Sequence, residues 1–169
     1  FAESGERSLI FVRAKHDTRR AADRIAARME LPPAVGAMAA LDSLEESRSR
    51  EALRSSMACG VAFHNADLTP AERRIVEEAF RVGDVLVLVS TSTLAAGLNL
   101  PARNVFLTTE KWCYDHRLGI PWKTPVSHME YENMGGRAGR LGSGYAFGRA
   151  ILVATSPFEM ELCWRRYVD

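Results

Sequence analysis

The segment Gly135-Gly136-Arg137-Ala138-Gly139-Arg140 sets two arginines three residues apart among three glycines. Glycine lets a backbone come close to a ligand or to another element. Arginines at this spacing, at the end of a helix, can point the same way. Guanidinium is suited to bidentate contact with phosphate oxygens. The chemistry on offer is binding of a phosphorylated ligand and stabilisation of its negative charge. Taken alone, the hexapeptide also reads as a glycine-rich turn with solvated arginines.

A second segment, Ser90-Thr91-Ser92-Thr93-Leu94-Ala95-Ala96-Gly97-Leu98-Asn99-Leu100-Pro101, directly follows an apolar strand-sized run. Its hydroxyls and free backbone N–H groups suit phosphate oxygens. An ordinary strand-to-helix connection is the alternative. A third segment, Lys111 to Lys123, interleaves Trp112, Tyr114 and Trp122 with Lys111, Arg117 and Lys123, and Gly119 can turn a hairpin there. Stacking of a base on such aromatics contributes about 1–3 kcal/mol. Packing of the same tryptophans on a core or a neighbouring domain is the competing use. His64, taken alone, reads as a structural histidine before a ligand.

These segments need elements to position them. Ser8 to Val12 is a short apolar run, read as a buried strand. Ala21, Ala22, Ile25, Ala26 and Met29 recur at helical spacing, with arginines on the other face and Pro32-Pro33 as the stop. Leu41 to Met57 is read as one charged helical stretch. Gly60 to His64 is a short strand. Thr69-Pro70-Ala71-Glu72 is a helix start, followed by the core stripe Ile75, Val76, Ala79 and Phe80. Gly83-Asp84 is a turn, and Val85 to Val89 a fully buried strand. Asn104 to Thr108 is another strand. Ser127-His128-Met129-Glu130 starts a helix that runs toward Gly135. Arg149 to Ala154 is a last strand, and Ser156 to Glu159 caps a last helix. Strands that alternate with helices and are apolar on both faces imply an α/β fold with a parallel sheet sandwiched by helices. In such sheets the working loops follow the carboxyl ends of the strands.

With both phosphate-suited segments in this order on this sheet, the chain resembles the second RecA-like domain of a superfamily 2 DExH-box helicase, in the branch of superkiller-like RNA helicases and DNA-repair relatives. The resemblance covers essentially residues 1–169, one domain, with 109–125 as a hairpin insert. Ser8 to Lys15 is similar to motif IV, Ala62-Phe63-His64-Asn65-Ala66-Asp67-Leu68 to motif IVa, Thr91 to Pro101 to motif V, and Tyr131 to Arg140 to motif VI. The resemblance implies that Arg140 is an arginine finger and that Arg137 also faces the triphosphate. It implies that Gly97, Asn99, Asn133 and Gly136 lie at the nucleotide. It implies that Thr91, Arg13, Lys15, His64 and Asn65 touch the nucleic-acid strand, joined by Trp112 and Arg117 of the insert. In the DNA-repair relatives a hairpin between motifs V and VI splits the duplex, and the branch implies three-prime to five-prime movement.

Two departures stand out. Motif VI normally opens with Gln or His where this chain has Asn133. Motif IVa commonly reads His-His-Ala-Gly-Leu, whereas Asn65 and Asp67 replace its second His and its Gly. Asp67 brings a negative charge to an expected phosphate path.

The sequence has no GxxxxGK[ST] loop, and no Asp-Glu pair after an apolar strand; Leu44-Glu45-Glu46 falls in the charged helical stretch. Phosphoryl transfer needs both parts, so this chain alone is expected neither to bind ATP tightly nor to hydrolyse it. ATP and Mg2+ are expected mainly on an N-terminal RecA-like domain of the same protein. The opening Phe1-Ala2-Glu3-Ser4-Gly5, without Met or a signal-peptide layout, fits a piece of a longer protein. The formal net charge of +1 gives no global sign of a polyanion partner, so any basic surface is local. Cys59, Cys113 and Cys163 are far apart, with no CxxC, so no metal site is expected. No apolar run reaches membrane-span length, and an intracellular, cytoplasmic or nuclear setting is expected. Expected partners are single-stranded or partly duplex DNA or RNA, with phosphate contacts leaving the choice between the two open. A non-catalytic docking module and a duplex translocase are the competing readings. Retention of both motif VI arginines favours the motor.

Overall fold

Five short, largely apolar runs pair in parallel to form the central sheet, in the spatial order β2-β3-β1-β4-β7. The computed structural model describes residues 1–91, 100–115, 119–139 and 145–169, with backbone alone for Trp112, Tyr114 and Asp115. The strands are β1 (Ser8–Val12), β2 (Val61–His64), β3 (Val87–Thr91), β4 (Asn104–Thr108) and, after a hairpin of β5 (Glu110–Asp115) and β6 (Ile120–Pro125), β7 (Arg149–Val153). The described α-helices are α1 (Lys15–Ala26), α2 (Val35–Asp42), α3 (Arg48–Met57), α4 (Pro70–Val82), α5 (His128–Gly135) and α6 (Pro157–Tyr167). Helices α1 and α3 pack on the β2–β3 side, α5 on β4 and α6 on β7. This is the α/β parallel sheet expected from the alternation of strands and helices, in the RecA-like arrangement that the resemblance implied. No described helix is long and apolar enough to cross a membrane.

Every residue of β2 and the first four of β3 are buried. Leu9, Phe11, Val61, Val87 and Leu88 lie at the centre of the core, each at most 1% exposed. Helix α4 is held by the expected capping box. The Glu72 N–H donates to Thr69 Oγ1 at 3.2 Å, and the Thr69 N–H donates to Glu72 Oε2 at 2.7 Å.

Several boundaries differ from expectation: β2 starts one residue later, at Val61, and β7 ends one residue earlier, at Val153. The expected strand 85–89 is shifted two residues onward. Val85 donates its N–H to Ala79 O and Leu86 donates to Gly60 O, so the ladder begins at Val87 and reaches Thr91. Thr91 is therefore the last strand residue, paired with Val12, rather than the first of a loop. Helix α1 starts at Lys15, so the expected loop residue Lys15 opens a helix. The single helix expected over Leu41 to Met57 is two. Ser43 Oγ turns back to Ala40 O at the end of α2, and Ser47 Oγ accepts from Arg50 N to start α3. Hydroxyls that bond nearby backbone groups favour caps over helix interiors. Glu45 and Glu46 fall in the gap between the two helices.

The hairpin forms where expected, with antiparallel pairing from Glu110 opposite Pro125 to Asp115 opposite Ile120. Gly119 adopts a left-handed φ of 66° just before β6 begins. That conformation is open to glycine and strained for most other residues.

Candidate nucleotide and nucleic-acid interface

The expected site residues that are described divide between two ends of the sheet, and α5 runs between them. Its start lies by the carboxyl end of β4, where the Val126 N–H donates to Thr109 O at 2.9 Å. Its last turn leads to Arg137 beside Ala102, which precedes the amino end of β4. Eight residues at about 1.5 Å each give a strut roughly 12 Å long.

At the arginine end, Met134 is buried and anchors α5, while Asn133 and Gly136 are exposed one turn apart. Arg137 follows, 9% exposed. Its backbone is pinned to the segment that leaves motif V: the Ala102 N–H donates to Arg137 O at 3.0 Å, and the Gly139 N–H donates to Ala102 O at 2.9 Å. These two bonds form a single parallel bridge between Ala102 and Ala138. The segment that carries Arg137 is thus joined to Ala102, the residue that follows the second phosphate-suited segment. Asn133 carries an amide and Arg137 a guanidinium, both groups able to donate to phosphate oxygens. Among the described residues no cluster of acidic, histidine or cysteine side chains is arranged to hold a metal. Arg140, Gly97 and Asn99 lie outside the described residues.

The chain returning to β7 is held by a ladder that the sequence did not disclose. Arg149 Nη1 donates to Glu6 Oε2 at 2.9 Å and to Asn104 Oδ1 at 2.9 Å. Arg103 lies 3.2 Å from the other Glu6 oxygen. Asn104, then the neighbouring arginine charges, hold the Glu6 carboxyl below its usual range. The Arg103 guanidinium sits over the rings of Phe147 and Tyr145, and that of Arg149 over Phe147 and Phe1. Each arginine is separated in sequence from most of its partners, so no local pattern could have announced the group.

At the carboxyl end, Lys15 Nζ pairs with Asp67 Oδ1 at 2.8 Å. Asn65 is buried and donates from Nδ2 to Thr18 Oγ1 at 2.8 Å, while its Oδ1 accepts from Asp67 N at 2.9 Å. The first turn of α1 and the loop after β2 are thereby fastened together. His64 is 8% exposed, with Nε2 3.0 Å from Glu77 Oε1. Burial lowers its pKa, and the Glu77 carboxylate offsets only part of that. The side chains of His64 and Asn65 are thus engaged inside the protein. The exposed cation presented by these loops is Lys15. A recess of about 420 Å³ adjoins it, lined also by Arg20, Arg48 and Ser49. The sequence had offered the arginines of α1 only as its polar face. A larger recess, about 650 Å³, lies between α2 and α4 beside Gly36, Ile75 and Asp84, and none of the expected site residues lines it.

Arg13, at the end of β1, faces Glu110 at 3.4 Å and Glu159 at 3.9 Å. It therefore braces the hairpin base. Glu110 also meets Lys123 at 3.7 Å. Tyr167 closes the base from α6, donating its hydroxyl to Val126 O at 2.6 Å. Trp122 on β6 is 46% exposed and Ile120 59%. Trp112 lies opposite Lys123 in the backbone register, and Arg117 lies outside the described residues.

The helicase conserved C-terminal domain family matches residues 1–142 of the chain. The chain is also similar to proteins named ATP-dependent DNA helicase Hel308. That of Pyrobaculum calidifontis is 41% identical over 170 residues, 97% of this chain and 23% of the relative. That of Aeropyrum pernix is 48% identical over 104 residues, 62% of this chain and 13% of the relative. That of Methanocella arvoryzae is 35% identical over 174 residues, 99% of this chain and 23% of the relative. The chain thus spans less than a quarter of the length of each of these relatives.

Proposed function

Since the chain belongs to the helicase conserved C-terminal domain family, we propose that its 169 residues are the second motor domain of an ATP-dependent DNA helicase acting inside the cell. The observation that carries this reading is the Ala102–Ala138 bridge, which sets the Arg137 segment against the end of motif V. DNA is preferred to RNA because the relatives are named DNA helicases.

ATP, held with Mg2+ on a preceding RecA-like domain, would supply the phosphoryl group whose transfer drives the cycle. Arg137 and Arg140 bind that triphosphate from the facing side and stabilise charge on the transferring group. Asn133 and Gly136 border it, and Gly97 and Asn99 relay its state toward Thr91. Thr91 and Lys15 hold backbone phosphates of the strand, with Arg13 beside the hairpin. The loop carrying His64 and Asn65 backs this path. The hairpin, with Trp112, Arg117 and Trp122, stands where a duplex would be split.

The test is Arg140→Ala in the full-length parent. DNA-stimulated ATP hydrolysis should fall by about 10³-fold or more, with strand binding retained. ATPase activity at the parent's level would remove the finger assignment. Stimulation by single-stranded RNA but not DNA would overturn the choice of substrate.

A further inference from the structure

Lys111 and Glu130 join two elements that the proposed function treats separately. Lys111 is on the first strand of the hairpin, and Glu130 is in the first turn of the helix leading to Arg137. Lys111 Nζ donates to Glu130 Oε1 at 2.6 Å. The other carboxylate oxygen of Glu130 accepts from Ser127 N at 2.9 Å and from Ser127 Oγ at 2.8 Å, closing the capping box of α5. One carboxylate thus starts the arginine helix and grips the hairpin. Burial works to raise its pKa, but the Lys111 and Ser127 donors outweigh that and hold it below the usual range.

The surroundings make this contact directional. Adjacent strand residues point to opposite faces, so Glu110 and Lys111 reach different neighbours. Glu110 reaches Arg13, just after β1, and Lys111 reaches Glu130 on α5. The hairpin base is further closed by Tyr167, stacked on Tyr131 of α5 with ring centroids 4.7 Å apart. A shift of α5 along its axis is therefore felt at one face of β5, while Arg13 holds the other. At the far end of α5, Arg137 is fixed to Ala102.

We propose that the Lys111–Glu130 ion pair is a coupling link, through which α5 transmits the position of Arg137 to the hairpin. Lys111 is accordingly a positioning residue for strand separation and touches neither nucleotide nor reacting atoms. The proposal rests on the motor reading above. The pair is about one-third exposed on both sides, so its loss should bias the hairpin without unfolding it.

The experiment is Lys111→Met in the full-length parent, measuring ATP hydrolysis and base pairs opened on the same forked DNA. Expected is ATPase activity within about twofold of the parent, with base pairs opened per ATP reduced about fivefold, the scale of a part-exposed ion pair acting on a two-state element. Lys111→Arg should restore most of the ratio. An unchanged ratio in Lys111→Met would overturn the link, as would ATPase and unwinding falling in parallel. Deletion of 113–121 separates the two readings. If the deletion leaves unwinding intact, strand splitting by the hairpin is wrong. If the deletion abolishes unwinding while Lys111→Met does not alter the ratio, only the coupling link is wrong.

Discussion

Gly139 and Gly148 cross backbone on backbone. A Cβ on Gly148 would come within 2.1 Å of Gly139 N, and one on Gly139 within 2.2 Å of Gly148 N. Gly139 also has a φ of 59°. The segment that carries Arg137 is thus wedged between Ala102 and the approach to β7. Gly148→Ala has to open this crossing, and overpacking of this kind costs about 1–3 kcal/mol. The expected result is a thermal midpoint lower by roughly 2–10 °C. Gly135→Ala is the control. Its Cβ would meet Ala150 Cβ at 3.8 Å and Leu107 Cδ1 at 3.9 Å, which is ordinary contact. Helix propensity then favours alanine by up to about 1 kcal/mol, so Gly135→Ala should melt at or above the parent temperature. Equal midpoints for Gly148→Ala and the parent would show that the two backbones are not in contact.

The buried His64–Glu77 pair makes stability depend on pH in the acid direction. Burial is the largest effect on His64 and lowers its pKa in the folded chain, with Glu77 opposing. Below about pH 6.5, the ordinary histidine value, the unfolded chain takes up a proton that the folded chain resists. Stability should therefore be full above that value and decline as pH falls below it. His64→Gln should flatten the dependence of the melting temperature between about pH 7.5 and 5. A parallel dependence in the variant would assign the titration elsewhere.

The sheet was legible in the sequence because its strands are short runs with apolar centres. Ser8–Val12 and Asn104–Thr108 match expectation residue for residue. The capping boxes at Thr69 and Ser127 were legible because both halves of each box lie within four residues. The break between α2 and α3 was not, because Ser47 is followed at the third position by Arg50, which offers no reciprocal carboxylate. Its acid partner is Glu72, which accepts from Ser47 Oγ at 3.0 Å across 25 positions. The site divides in the same way. The motifs named Arg137, Lys15 and Thr91, but spacing could not tell that Asn65 turns inward to Thr18 or that Arg13 braces Glu110. The Glu6 ladder was invisible because its members meet only when β1, β4 and β7 align.

Glu72 closes a network whose loss should be measurable. It is 1% exposed, caps α4 and accepts from both Ser47 and Ser49. Burial alone would raise its pKa, yet the Ser49, Thr69 and Ser47 donors bring it below the usual range. A lowered carboxylate contributes stability that is full above its unfolded value, about 4.3. That contribution is lost as pH falls through the folded value. Glu72→Ala should lower stability by about 1–3 kcal/mol in urea unfolding at pH 7, by loss of a cap and of buried partners. Ser49→Ala should cost less, since Ser47 still donates. A Glu72→Ala midpoint equal to that of the parent would show that the three hydroxyls do not depend on the carboxylate.

Asp67 brings a negative charge to the proposed strand path, and the structure shows what offsets it. Lys15 Nζ sits 2.8 Å from its carboxylate, with both side chains more than half exposed. An exposed pair contributes little to stability, so either residue can be replaced without loss of fold. Two roles for Lys15 then give different outcomes. If Lys15 only cancels Asp67, Lys15→Ala weakens DNA binding in the parent but has no effect once Asp67→Asn is present. If Lys15 holds a backbone phosphate, Asp67→Asn releases it and tightens binding. Lys15→Ala then still lowers the slope of log affinity against log salt, by about 0.7 for a single strand, in either background. The second pattern is expected, because Lys15 opens α1 beside Arg20 and Arg48 on the rim of one basic recess. The coupling of the two substitutions, read from salt titrations of the full-length protein on single-stranded DNA, measures how far the pair acts as a unit. Complete loss of the Lys15 effect in the Asp67→Asn background would move the phosphate path away from this loop.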